Sequence, residues 1–254
     1  MSRFRDGNYL NWLKTTESLH TLRVGLRSFL ENETETYHRF LKETLSSCTK
    51  DAMCKMKCDG KMWHKKPFQI PECEVCTPWR VLILANHTSK GLVHWKECFP
   101  HLWPTEKWEV AKVYMPQGHR DHRCFDQFDI AALLNLMSKC KHFHEFVKDQ
   151  QINKDQQINK VNHYSDYTKL HYPQRINKVN HYSDYTKLHY PQINKVTRVR
   201  NCVMHSPDST VAQSDFELFL STIKTFALLL QDHAPDLKTR PQIDKLSVLS
   251  ATWF

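Results

Sequence analysis

Two groups of residues in this sequence have the types and spacing to do chemistry. The first is rich in sulfur. Cys73-Glu74-Val75-Cys76 sets two cysteines at a spacing that lets a single turn offer both thiolates to a tetrahedral ion. Cys54 and Cys58 form a looser pair upstream, and His94 and Cys98 a third pair downstream. Thiolate and imidazole ligands favour zinc among biological divalent ions. Two sets are open: Cys54, Cys58, Cys73 and Cys76, or Cys73 and Cys76 closed by His94 and Cys98. Either set predicts a structural zinc, since four protein ligands leave no coordination position for a substrate. His64, His87 and His101 are expected at the surface rather than on the ion.

The second group is Arg200-Asn201-Cys202-Val203-Met204-His205. On a helix Asn201 and His205, four apart, share a face, and Arg200 stands off that face with a long reach. The following Ser206-Pro207 should end such a helix, placing His205 at the negative end of its dipole. A guanidinium beside an imidazole can hold a phosphate and move a proton near neutral pH. The bland alternative is that Arg200 and Asn201 brace a helical bundle and His205 is an ordinary surface residue.

The elements that must position these groups are mostly helical. From Asn8 to about Ser47, Leu19, Leu22, Leu26, Phe29, Leu30, Tyr37, Phe40, Leu41 and Leu45 recur in steps of three and four, the stripe of an amphipathic helix. The stretch is long enough for two helices with a break near Glu31 to Thr34. Thr77-Pro78 reads as a helix start. Pro104-Thr105 opens a short helix to about Met115, and a stronger one is expected from Asp126 to Val147. Ser214-Asp215-Phe216-Glu217 has the form of a capping box, with Ser214 as N-cap, opening a helix that stops before Pro235. A shorter helix should follow Pro241 through Ile243, Leu246 and Leu249. Only five glycines in 254 residues agree with long helices rather than many tight turns.

Two stretches break this pattern. Residues 48–104 hold six of the nine cysteines and four of the seven tryptophans, and read as an irregular Cys/His/Trp-rich insertion. The bundle is then formed by residues 1–47 and 105–254. Within it, Ile158 to Gln174 recurs residue for residue as Ile176 to Gln192, so 151–192 reads as a tandem-repeat insertion. Its polar, tyrosine-rich unit lacks the apolar positions by which solenoid repeats stack, which predicts a disordered excursion.

The formal charge of +9 suits a polyanionic partner. The polar start, Met1 to Gly7, has no apolar run behind it, and no stretch is long enough to cross a bilayer. Nine cysteines cannot all pair within one chain. The expectation is an intracellular protein, cytoplasmic or nuclear, with free or metal-bound thiols and no membrane association. Phosphate-binding glycine loops, zinc-protease motifs, serine elbows and kinase signatures are absent from the sequence, which removes those enzyme classes.

The segment from Arg200 to His205 resembles the Arg-Asn-x-x-x-His motif of HEPN domains, the higher eukaryote and prokaryote nucleotide-binding family. Within that family the chain looks most like the type found in the DAZ-interacting zinc-finger ubiquitin ligase. Similarity to an individual protein placed in that group runs through Tyr9-Leu10-Asn11-Trp12, Cys73-Glu74-Val75-Cys76, Val93-His94-Trp95 to Cys98, Trp108-Glu109-Val110-Ala111-Lys112, Ile130-Ala131-Ala132-Leu133-Leu134 and the motif itself. The resemblance implies a mainly α, HEPN-like helical bundle that dimerises. It also implies RNA as partner and, in active members, metal-independent endoribonuclease chemistry that leaves a 2′,3′-cyclic phosphate. Arg200 would then stabilise the phosphate, His205 act as acid or base, and Asn201 orient them. The competing expectation is a non-catalytic helical module that recruits a protein partner.

Overall fold

The computed structural model describes residues 3–45, 51–65, 72–89, 93–147, 190–231, 233 and 243–245. Most of the tandem repeat, 151–189, lies outside them, as does most of the helix expected after Pro241. Among the described residues the structure is mainly helical, and the sole β pairing is an isolated bridge between His87 and Cys140.

The spine is α1, Gly7–Thr44, which is one continuous helix rather than two. Its first turn is capped by Asp6, whose carboxylate accepts the Asn8 N–H at 2.9 Å. The segment from Glu31 to Thr34 contains neither proline nor glycine, and Thr34 is buried, so packing carries the helix straight through it. Leu19, Leu22, Leu26, Phe29, Leu30, Tyr37 and Leu41 face the core in helical steps. Against this stripe pack α4 (Lys107–Ala111), α5 (Ile130–Lys139), α6 (Pro191–Met204) and α7 (Gln213–Leu230).

Three boundaries differ from the periodicity. Helix α5 starts at Ile130, capped by the Asp129 carboxylate on the Ala132 N–H at 2.8 Å, and ends at Lys139. Cys140 is extended and bridges to His87, and Lys141–Phe146 continues as a 3-10 helix. The apolar spacing carries on past Cys140, so periodicity alone overran the end. Helix α7 begins at Gln213 with Ala212 as N-cap, and the acidic residue Glu217 accepts from the Gln213 side chain at 3.0 Å, so Ser214 is no cap. Tyr190, Pro191 and Gln192, the last residues of the second repeat copy, belong to the bundle: Tyr190 is buried and Pro191 opens α6.

The cysteine- and tryptophan-rich stretch is not a separate body. It contributes α2 (Gly60–Lys65) and α3 (Cys76–Ala85), and Trp63, Trp79, Ile83 and Trp103 join the same buried cluster as the bundle's leucines. Its large side chains are buried by sharing the bundle's core. Within it Gly60 is required by contact. A Cβ there would lie 1.7 Å from the Trp95 carbonyl oxygen.

The seam between this stretch and the bundle is held by buried charge. Glu109 and Lys112, both fully buried, pair at 2.7 Å. The second Glu109 oxygen accepts the Phe99 N–H at 2.7 Å, and Lys112 also donates to the Arg120 carbonyl at 2.8 Å. Arg120 in turn pairs with Asp59 at 2.8 Å. Carboxylate, ammonium and guanidinium are each satisfied, the condition under which buried ions are tolerated.

Candidate functional site

Two sites emerge. At the first, the sulfurs of Cys54, Cys58, Cys73 and Cys76 all lie within 4.8 Å of one another, and all four residues are buried. Four thiolates at about 2.3 Å from a tetrahedral zinc stand roughly 3.8 Å apart; Cys54 and Cys73 are already 3.6 Å apart. Local backbone explains the convergence. Cys73 precedes α3 and Cys76 begins it, so the Cys76 N–H points at the Cys73 sulfur at 3.4 Å. The side chain of Thr77 ties the turn by accepting the Cys73 N–H at 3.2 Å. Across from them, Lys57 takes a positive φ of 46° between Cys54 and Cys58, and folds that pair into a tight turn. His101 braces it through Nδ1 on the Cys58 carbonyl at 2.9 Å.

The thiols are strongly perturbed. Burial pushes Cys58 up to about 12 and raises Cys76, and neighbouring sulfurs add to both. At Cys54 burial also pulls upward, but hydrogen bonds from the Cys58 backbone and the surrounding thiols outweigh it and lower the value. Crowded sulfurs share protons because adjacent thiolates repel; a dication removes that repulsion and displaces the protons. The donor set therefore fits a soft, tetrahedral ion.

His94 and Cys98 do not join this cluster. Cys98 is buried at the seam, its thiol donating to the Trp95 carbonyl at 3.2 Å, and burial followed by the nearby Glu109 raises it well above the usual thiol range. Among the described residues, the four cysteines are the group of metal-ligating side chains that comes together. His101 serves the site through the Cys58 backbone. His87, expected at the surface, is buried, stacked on Tyr114 at 5.1 Å, and pushed down to about 3 by burial.

The second site is the last turn of α6. Asn201 and His205 are exposed, and His205 is the C-cap, its N–H on the Asn201 carbonyl at 3.0 Å. Arg200, with a quarter of its side chain exposed, donates to the Asn201 side-chain oxygen at 3.1 Å and stands 3.7 Å from the Asp129 carboxylate. Val203 and Val199 point the other way into the core, which fixes which face of α6 meets solvent.

Asp129 leads to residues that sequence reasoning missed. Its other oxygen is 3.9 Å from Nε2 of His119, whose Nδ1 is 3.2 Å from Nδ1 of His122. Both imidazoles pack on Phe128. Burial, then the neighbouring His122 and Lys112, hold His119 below the usual histidine range against the opposing pull of Asp129 and Glu97. The turn presenting them needs Gly118 at φ 104°, and Glu97 clamps it by accepting the N–H groups of Gly118 and His119, each at 2.9 Å. The signal was legible: two histidines three apart, interleaved with Arg120 and Arg123, follow a glycine.

A mainly helical domain with a buried four-cysteine cluster and a basic, histidine-bearing surface at one helix end is the class these observations define. A family model described as "Domain of unknown function (DUF4559)" matches residues 3–172 and 173–251, and the chain belongs to that family. It is 37% identical over 145 residues to the mouse (Mus musculus) protein described as "Uncharacterized protein CXorf38 homolog". That alignment covers 56% of this chain and 44% of the mouse protein, so the chain spans less than half the length of this relative. No solved structure matches the chain. Among the described residues no helix is long and apolar enough to cross a membrane.

Proposed function

We propose that this chain is an RNA-binding domain of HEPN type, in which the end of α6 holds a phosphodiester and a structural zinc on Cys54, Cys58, Cys73 and Cys76 stiffens the adjoining stretch. The observation that carries the reading is the state of the Arg200 side chain. Asn201 and Asp129 orient its guanidinium at the surface, next to exposed Asn201 and His205, instead of spending it on core packing. A partly exposed, pre-oriented guanidinium loses little entropy on gripping a phosphate. The net charge of +9 supports the same class of partner.

The same groups have the chemistry of a metal-independent endoribonuclease. Attack of a ribose 2′-hydroxyl on the adjacent phosphorus requires that its proton be taken up and that the leaving 5′-oxygen be protonated, leaving a 2′,3′-cyclic phosphate. In this reading His205 moves a proton, Arg200 steadies the phosphate charge, and Asn201 holds Arg200 in place. A homodimer supplies the second proton-transfer group by bringing two such ends together. The test uses labelled RNA and the whole chain in EDTA. Arg200→Ala should weaken binding and flatten its salt dependence by about 0.7 in log–log slope for each single-strand phosphate it no longer neutralises. His205→Ala should spare binding and abolish cleavage. Unaltered binding in Arg200→Ala would sink the reading.

A second reading, a protein-interaction module, is favoured by a depression of about 480 Å³ on α7 lined by Phe216, Leu220, Lys224 and Leu228. Retention of RNA binding with loss of self-association in Leu228→Glu would assign that face to the dimer.

A further inference from the structure

We propose that Tyr9 and Trp12 form a stacking platform for an unpaired base of single-stranded RNA, whose adjoining phosphate lies at the end of α6; the proposal rests on the RNA reading above. The two residues are three apart on the first turns of α1 and so share a face. Their rings are nearly parallel, 17° apart with centroids at 6.0 Å, and both side chains are half-buried rather than enclosed. Arg3 lies over the Tyr9 ring at 5.3 Å, and its guanidinium also donates to the Asp208 carbonyl at 3.3 Å. The result is an aromatic surface with a cation on it, the pairing that single-stranded nucleic acids meet in sequence-tolerant sites.

Its position ties it to the candidate phosphate site. The Trp12 indole N–H donates to the Val203 carbonyl at 2.9 Å, in the last turn of α6 and two residues before His205. Beyond His205 the chain folds back over the same part of α1. The Val211 N–H donates to the Asn8 carbonyl at 3.0 Å, and the Asn11 amide donates to Gln213 at 3.0 Å. Aromatic platform and Arg-Asn-x-x-x-His segment are therefore one bonded unit. The bond to Val203 fixes the indole's plane, so a base stacking there meets a ring already immobilised. A duplex presents no free base face, which makes an unpaired strand the partner this surface fits.

The experiment compares a short fluorescein-labelled single strand with its duplex by anisotropy, using the full chain. Tyr9→Leu is the chosen variant because the Trp12 indole holds the Val203 carbonyl of α6, a bond that a change at Trp12 would break. It should weaken single-strand binding about 5- to 150-fold, the factor that corresponds to about 1–3 kcal/mol for one stacked base. Duplex binding and the salt slope should stay unchanged, since the substitution leaves every phosphate-gripping cation in place. Tyr9→Phe should restore wild-type affinity. The proposal is overturned if Tyr9→Leu binds the single strand as wild type does, or weakens on single strand and duplex alike. If Tyr9→Leu is silent while Arg200→Ala weakens binding, the platform fails and the RNA reading stands. If the wild-type chain binds neither strand form, both fall.

Discussion

Removal of the zinc proposed for the four-cysteine cluster should unseat the tryptophan-rich stretch without melting the α1 spine. The four sulfurs sit within 4.8 Å of one another in a buried setting, so the metal-free state keeps crowded thiols where a single ion would satisfy all four. An ion held at about a thousand times its dissociation constant stabilises the folded state by about 4 kcal/mol. For a chain of this size each kcal/mol shifts Tm by about 2–4 °C, so stripping the metal should lower Tm by roughly 8–16 °C. Trp63, Trp95 and Trp103 pack edge-to-face or tilted within 6.0 Å of one another and report the same stretch by fluorescence. The assay is elemental analysis of protein purified without added metal, followed by melts before and after treatment with a mercurial and chelator. One zinc per chain is expected, with a red shift of emission on its release, while helical signal at 25 °C is largely retained. Less than a third of an equivalent of zinc, or a Tm unmoved by its removal, would refute the reasoning. Cys54→Ser should lose the metal and His94→Ala should keep it.

Gly60→Ala should destabilise the same stretch, because the new methyl would overlap the Trp95 backbone, which cannot swing aside; a melt read at the tryptophans checks it. Glu109→Ala should cost about 3–5 kcal/mol in urea titrations, since it strands the buried Lys112 ammonium without its carboxylate. His87 makes stability depend on acid. Unfolded, it binds a proton near 6.5, but the folded protein resists protonation until about 3. Between those values the unfolded state holds more protons, so stability falls as pH drops through that window, by up to about 1.4 kcal/mol per pH unit for this group. His87→Gln should flatten the loss between pH 6.5 and 4.5 in urea titrations, leaving the smaller same-sign contributions of His38 and His119.

Helix α1, the helical approach to His205 and the cysteine pairs were all legible in the linear sequence. Helical spacing and short-range ligand spacing are local properties, written in steps of three and four residues. The overrun of α5 and the expected break in α1 share one cause. Caps and ends depend on which partners the backbone finds, and those partners are distant in sequence: Cys140 stops α5 by pairing with His87. The choice between two ligand sets was equally beyond spacing, because both contain Cys73 and Cys76 and differ only in which remote pair arrives. Tertiary packing brought Cys54 and Cys58 to them and spent Cys98 on the seam with Trp95. The same holds for the surface at α6. The sequence by itself determined that Arg200, Asn201 and His205 share one helix end. Only the folded chain decided that Asp129 orients Arg200, that His119 and His122 stand behind it, and that Trp12 is bonded to Val203. Those partners lie about 70 to 190 positions away, and no periodicity encodes a meeting that burial of a shared core brings about.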